Sequence, residues 1–249
     1  MKKKILLGAL LGALFLAGLI AALPASLLSL PLLSATGDRW QFSGAQGTVW
    51  QGKTQLVYVG DKGEVLPMSR IGWRFQPKAL LSGRAIWLLE SEGQDGKLEW
   101  GWGGMEVNGV NLTLPVAALA NLSKTWQAAR LGGDLQLKIG QFSRKGGQLA
   151  GNLQLSWLGA ASPLSPLSPF GSYQMDVNGA GAGVALNVST LDGPLNLSGQ
   201  GQWQPGAAFA LSGSADSPPE KYDALKPLML MLGKPSGPTS VQWQIRPGA

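Results

Sequence analysis

The 249-residue chain contains no cysteine and no histidine. Without Cys no disulfide can staple the fold, no thiolate can bind metal or attack a substrate, and lipoprotein-type lipid attachment is excluded. Without His the chain lacks the commonest general base and the commonest metal ligand. Ser-His-Asp and Cys-His catalysis, the usual zinc sites and His-ligated haem are therefore excluded. Charge is also scarce, at 14% of residues. Among the few acids, Glu90, Glu92 and Asp95 form one local group, which reads as a solvated loop and not as two carboxylates opposed across a cleft. The expectation is a chain that is not an enzyme, with no catalytic, cofactor-binding or metal-binding residues and no cofactor.

Charge is absent altogether between Lys4 and Asp38. Ile5 to Leu23 is an unbroken apolar run behind Lys2, Lys3 and Lys4. Its nineteen residues would make a helix of roughly 28 Å, close to the hydrocarbon thickness of a bilayer. A cleaved signal peptide has a similar basic start but a shorter apolar core, with a small-residue cleavage site for which Ala22 to Ser26 is a poor candidate. The expected reading is an uncleaved transmembrane anchor with cytoplasmic lysines and the bulk of the chain beyond the membrane. Residues 1–35 thus form the lysines, anchor and juxtamembrane segment.

What is present is glycine and tryptophan, 36 and 10 residues respectively, a composition unlike that of disordered chains. Three of the 20 Lys and Arg residues are the leading lysines, so the remaining 17 face 14 acids. The basic residues of the body are scattered singly, and no nucleic-acid partner is expected.

From Gly37 onward, strand logic dominates. Ile71, Trp73 and Phe75 alternate with Gly72 and Arg74; Val110, Leu112 and Leu114 with Asn111 and Thr113; Leu135, Leu137 and Ile139 with Gln136 and Lys138. Period-two alternation predicts antiparallel strands with one buried and one wet face. Gly146-Gly147, Asp192-Gly193-Pro194, Asn108-Gly109 and Asn178-Gly179 read as turns. Helical spacing predicts two short helices, Pro115 to Arg130 and Pro219 to Leu232, the second kinked or broken at Pro227. Ser162 to Pro169, SPLSPLSP, cannot be a strand interior. The expected division is 36–160 and 170–249 as two halves of a β domain, with 161–169 as a Ser/Pro linker. The fold class is mostly β: a transmembrane helix, then a curved, elongated antiparallel sheet with two helical segments.

The glycine clusters at 101–104 and 179–183 lack the strand-to-helix setting of a phosphate loop and read as turns. The Asn-X-Ser/Thr sequons at Asn111, Asn121, Asn187 and Asn196 read as chance on polar strand faces. The ten tryptophans have two readings: cross-strand packing, or the lining of an apolar groove that holds a lipid or a partner strand.

Four stretches carry a resemblance. Leu23-Pro24-Ala25 is followed by GAQGTVWQG at Gly44–Gly52. Later come Phe170–Trp203, with its Leu-Asp-Gly-Pro-Leu-X-Leu-X-Gly-X-Gly-X-Trp element, and a Leu/Met-rich helix ending LGKPSGP at Leu232–Pro238. The chain resembles the type II secretion system protein N family over nearly its whole length, the region 60–130 by pattern more than by motif. The resemblance implies a single-pass protein of the bacterial inner membrane with a periplasmic domain and other type II secretion components as partners. It implies no catalytic residues, and a role in exporting folded proteins across the outer membrane. The alternative function is a periplasmic β-groove that binds or transfers lipid.

Overall fold

The computed structural model describes residues 2–60, 63–117 and 129–245. Helix α1 (Lys2–Ala21) comes first, then a 3-10 turn (Ala25–Leu28) and α2 (Ser29–Thr36), which ends on Gly37 in the left-handed conformation, φ 60°. Six strands follow: β1 (Trp40–Gly47), β2 (Gln51–Val59), β3 (Val65–Phe75), β4 (Arg84–Ser91), β5 (Gln94–Gly101) and β6 (Gly104–Pro115). Six more are β7 (Gly132–Lys145), β8 (Gln148–Ala161), β9 (Gly171–Ala180), β10 (Gly183–Asp192), β11 (Asn196–Trp203) and β12 (Ala210–Asp216). Helix α3 (Pro219–Leu232), β13 (Lys234–Pro235) and β14 (Ser240–Ile245) complete the described chain.

Among the described residues, all fourteen strands form one antiparallel sheet in the order 1 to 12, then 14 and 13. Nearly every strand pairs with its neighbour in sequence, because the connections are short. At about 4.8 Å per strand the sheet runs roughly 60 Å along its hydrogen-bonding direction. Odd-to-even turns all lie at one end of the strands and even-to-odd turns at the other. The connections 47–51, 75–84, 101–104, 145–148, 180–183 and 203–210 form the first end.

The sheet is bent. Hairpin β4–β5 is shorter than its flanking strands, so beyond its tip β3 and β6 come together. Ser69 Oγ accepts from Thr113 N at 2.9 Å and lies 3.0 Å from the Thr113 carbonyl oxygen. On a flat sheet strands three apart lie about 14 Å from each other, so this contact requires the sheet to curl.

Two cores follow from the alternation. Leu56, Tyr58 and Met68 are buried with Trp40, Phe42, Leu114 and α2's Leu32 around them. The larger core gathers Leu149, Phe170, Tyr173, Val177, Val184, Leu186, Leu211, Val241 and Trp243 beneath α3. Helix α3 contributes Leu225, Leu228 and Met229, all buried.

Three expectations change. Helix α3 continues through Pro227 instead of breaking there; its buried residues on both sides of the proline hold it to the sheet. Asn108-Gly109 lies inside β6, where Gly109 takes φ 66° and a Cβ would lie 2.7 Å from the Asp95 carbonyl oxygen. Asn178-Gly179 lies inside β9, Gly179 facing the Ala150 backbone. The helix expected over Pro115–Arg130 falls largely outside the described residues; Pro115 itself ends β6. As for the expected anchor, α1 covers most of Ile5–Leu23, but among the described residues no helix is long and apolar enough to cross a membrane.

The remaining turns are as read: Gly146-Gly147, with φ of 54° and 81°, joins β7 to β8, and Asp192-Gly193-Pro194 joins β10 to β11. The Ser/Pro segment connects β8 and β9, which pair directly. Within it Ser162 and Ser165 are buried, and Ser162 Oγ donates to the Ala129 carbonyl at 2.6 Å.

Candidate functional site

The acidic group turns out to be architectural. Glu90 and Asp95 are cross-strand partners on β4–β5. Glu92 sits at the hairpin tip with φ 53°. Its carboxylate accepts from Ser69 Oγ at 2.6 Å, Thr113 N at 3.1 Å and Thr113 Oγ1 at 3.1 Å, so it clamps the β3–β6 closure. No feature of the sequence marked Glu92 for that role, because its partners are 21 and 23 residues away. Among the described residues no group of three or more acidic side chains could hold a metal ion. The glycine cluster at 101–104 is the β5–β6 hairpin turn, and that at 179–183 runs from Gly179, inside β9, through the β9–β10 turn.

The GAQGTVWQG stretch builds the joint between α1 and the sheet. It forms the β1–β2 hairpin, with Gly47 opposite Gly52. Val49 N donates to the Leu23 carbonyl at 2.9 Å, Trp50 Nε1 donates to the Ile20 carbonyl at 2.8 Å, and Pro24 bridges to Thr48. These bonds satisfy carbonyls that a helix end leaves without partners. Gly52 must be glycine because a Cβ there would lie 2.6 Å from the Trp73 ring. That ring in turn donates Nε1 to Thr48 and Val49 carbonyls at 3.2 and 3.1 Å, bracing the turn from behind.

The second motif, Leu191–Trp203, spans the β10–β11 turn. Gly199 leaves space for the Trp243 ring, whose Nε1 donates to the Ser214 carbonyl at 3.0 Å. Tyr173 packs in the same core against Trp157 and Phe170, with centroids 5.7 and 6.3 Å away. Burial pushes its hydroxyl well above the usual tyrosine range.

Most described tryptophans pack, as the first of the two readings expects. Trp50, Phe75 and Trp87 stack in sequence at 5.3 and 5.1 Å. Strand register extends that row: Phe75 pairs with Trp87, Trp87 with Leu98, Leu98 with Val107 and Val107 with Phe142. All five are half-buried, so this apolar row across β3–β7 is only partly covered. Trp126 lies outside the described residues. Trp100 and Trp102 do not pack: they are 63% and 97% exposed.

Trp102 lies at a rim formed by the 77–84 and 101–104 connections. A Cβ on Gly83 would sit 2.9 Å from its ring, so the two loops form one surface. A shallow depression of about 190 Å³ opens there, lined by Gly83, Arg84, Glu99, Trp102, Met105 and Lys145 among others. Glu99 and Glu106 face each other across β5–β6, an unfavourable like-charge pair. Three cations offset it. Arg84 and Lys97 reach Glu99 at 3.1 and 3.0 Å, and Lys145 reaches Glu106 at 2.6 Å. The Lys145 bond, then Asn108 and Gln141, hold the Glu106 carboxyl down at about 2.

The molecule is thus a single continuous antiparallel sheet tied through its first hairpin to an apolar N-terminal helix, its signature glycines serving the architecture. That class becomes particular on comparison. The chain belongs to the type II secretion system protein N family, whose model matches residues 38–244. It is 28% identical over 251 residues to the type II secretion system protein N of Aeromonas hydrophila, covering 95% of each chain. No solved structure matches it.

Proposed function

We propose that the protein is a non-catalytic subunit of the type II secretion apparatus, anchored in the inner membrane by α1 and holding its sheet in the periplasm as a scaffold for other components of the machine. The family match over 38–244 carries the reading. The anchor is supported by the apolar run itself and by Leu10, Leu11, Leu14, Phe15, Leu16 and Leu19, each more than half exposed all round α1. A helix apolar on every side needs lipid or a protein core around it. The 36–160 and 170–249 halves, divided at 161–169, are proposed to act as two parts of that scaffold, joined by the larger core, in which Leu149 and Ala160 of the first half are buried with residues of the second.

Deletion of the gene, with complementation by the full chain, tests the role. Exported enzyme should accumulate in the periplasm and return to the medium on complementation; unchanged export in a clean deletion counts against it.

A second reading is favoured by the half-covered row from Trp50 to Phe142, which would suit an acyl chain. Native mass spectrometry of the full chain released from detergent should then show a bound phospholipid of fixed stoichiometry.

A further inference from the structure

The exposed rim around Trp102 has an occupant that the topology identifies. The β1–β2 hairpin is bonded to the last turn of α1 through Val49 and Trp50. In an alternating meander the β3–β4 and β5–β6 connections lie at that same end of the strands. The rim is therefore on the side of the sheet from which the helix leaves, roughly 20 Å along from the helix joint at the usual strand spacing.

Its chemistry fits a bilayer surface. Leu80, Leu81, Trp100, Trp102 and Met105 are exposed there by 55%, 93%, 63%, 97% and 45%. Large apolar side chains this exposed on two adjacent loops mark an interaction surface. Trp with Leu at a loop tip is the composition of a membrane–water interface.

Charge is sorted in the same sense. The six connections at this end contain no Asp or Glu, and they carry Lys78, Arg84 and Lys145. Among the described residues of the connections at the opposite end Glu64, Glu92 and Asp192 meet Arg130, and on α3 Glu220 and Asp223 are matched by Lys221 and Lys226. An apolar end beside the helix whose connections carry cations and no carboxylate, against a mixed end away from it, matches an anionic leaflet on one side only.

We infer that the 77–84 and 101–104 loops dock onto the anionic bilayer surface into which α1 inserts, giving the sheet a second, peripheral membrane contact and a fixed tilt. This rests on the anchor reading above. Leu81 and Trp102 would enter the interface, with Lys78 at the headgroups and Arg84, paired with Glu99, behind it.

The absence of Cys makes the test clean. Leu81→Cys and, at the far end of β5, Gln94→Cys each give a single position for an environment-sensitive fluorophore. Eight residues of strand put position 94 roughly 25 Å further from the proposed surface. The labelled full chains are reconstituted in phosphatidylethanolamine–phosphatidylglycerol vesicles carrying nitroxide lipid, and in neutral phosphatidylcholine vesicles. Quenching at position 81 should exceed that at 94 by about threefold in the anionic vesicles and fall in the neutral ones. If the chain floats with the vesicles and resists alkaline extraction, yet position 81 is quenched no more than 94, the docking is overturned while the anchor stands. Quenching indifferent to anionic lipid overturns it as well. A chain that alkali releases from the vesicles overturns the anchor, and the docking with it.

Discussion

At Gly199 a methyl group has nowhere to go: a Cβ would lie 2.6 Å from the Trp243 ring and 3.0 Å from the Ser212 carbonyl. Gly199→Ala should therefore destabilise the chain by about 1–3 kcal/mol, the usual cost of forcing a packed core apart. Thermal unfolding of the detergent-solubilised chain measures it, and an unchanged midpoint would show that the ring can retreat. Glu106 makes a prediction in pH. Its carboxyl lies at about 2, below its ordinary 4.5, because Lys145, Asn108 and Gln141 bond the charged form. A depressed carboxyl stabilises the fold fully above pH 4.5 and loses that contribution as pH falls towards 2. Glu106→Gln should lower the urea midpoint near neutrality, and the difference from the parent should close over pH 4.5 to 2. A constant offset across that range would mean that the side chain acts by packing. Glu92 illustrates what residue types conceal: it stood out as an acid, but its work is to hold β3 against β6.

At the scale of elements, α3 is held by burial more than by propensity. Pro227 removes one internal hydrogen bond and would break an isolated helix. Leu225 and Met229 are completely buried on either side of it. Met229→Ala should cost about 2–5 kcal/mol, as for other large-to-small changes in a core. Chemical unfolding measures this, and a loss under 1 kcal/mol would mean the sheet closes over the cavity. The strands were legible because their faces alternate: Val110 to Leu114 and Leu135 to Ile139 are strand segments, as their period requires. The Asn-Gly pairs misled because the dipeptide tolerates a turn without requiring one. Gly109 uses its freedom inside β6, where a Cβ would meet the Asp95 carbonyl, a neighbour that only strand pairing brings near, and Gly179 leaves room for the Ala150 backbone.

For the whole molecule, an open sheet of this length has two edges to protect. One is blunted by β13, two residues long and carrying Pro235, which has no N–H to offer an incoming strand. Pro235→Val should restore that donor and raise concentration-dependent association of the solubilised chain. Light scattering across a dilution series reads it, and a flat series would show that the edge is protected by something else. At the other edge the hairpin that joins the sheet to α1 also sets which end of the strands faces the helix. The gathering of Lys78, Arg84 and Lys145 in connections without a carboxylate at that end, while Glu64, Glu92 and Asp192 all fall at the other, acquires meaning only once the direction of every strand is known.

Several properties are local or compositional, and the chain by itself determined them. Missing Cys and His remove whole reaction classes wherever the chain folds. Period-two alternation is a property of neighbours along one strand. The glycine and tryptophan motifs identify the family because they are contiguous. Tertiary structure alone decided the rest, since it depends on residues far apart in sequence meeting in space. The closure of β3 on β6 rests on partners 44 residues apart. The seating of α1 on the first hairpin links Ile20 to Trp50. The exposed rim exists because no described element packs over Leu81 and Trp102, and no pattern within either loop could have revealed that.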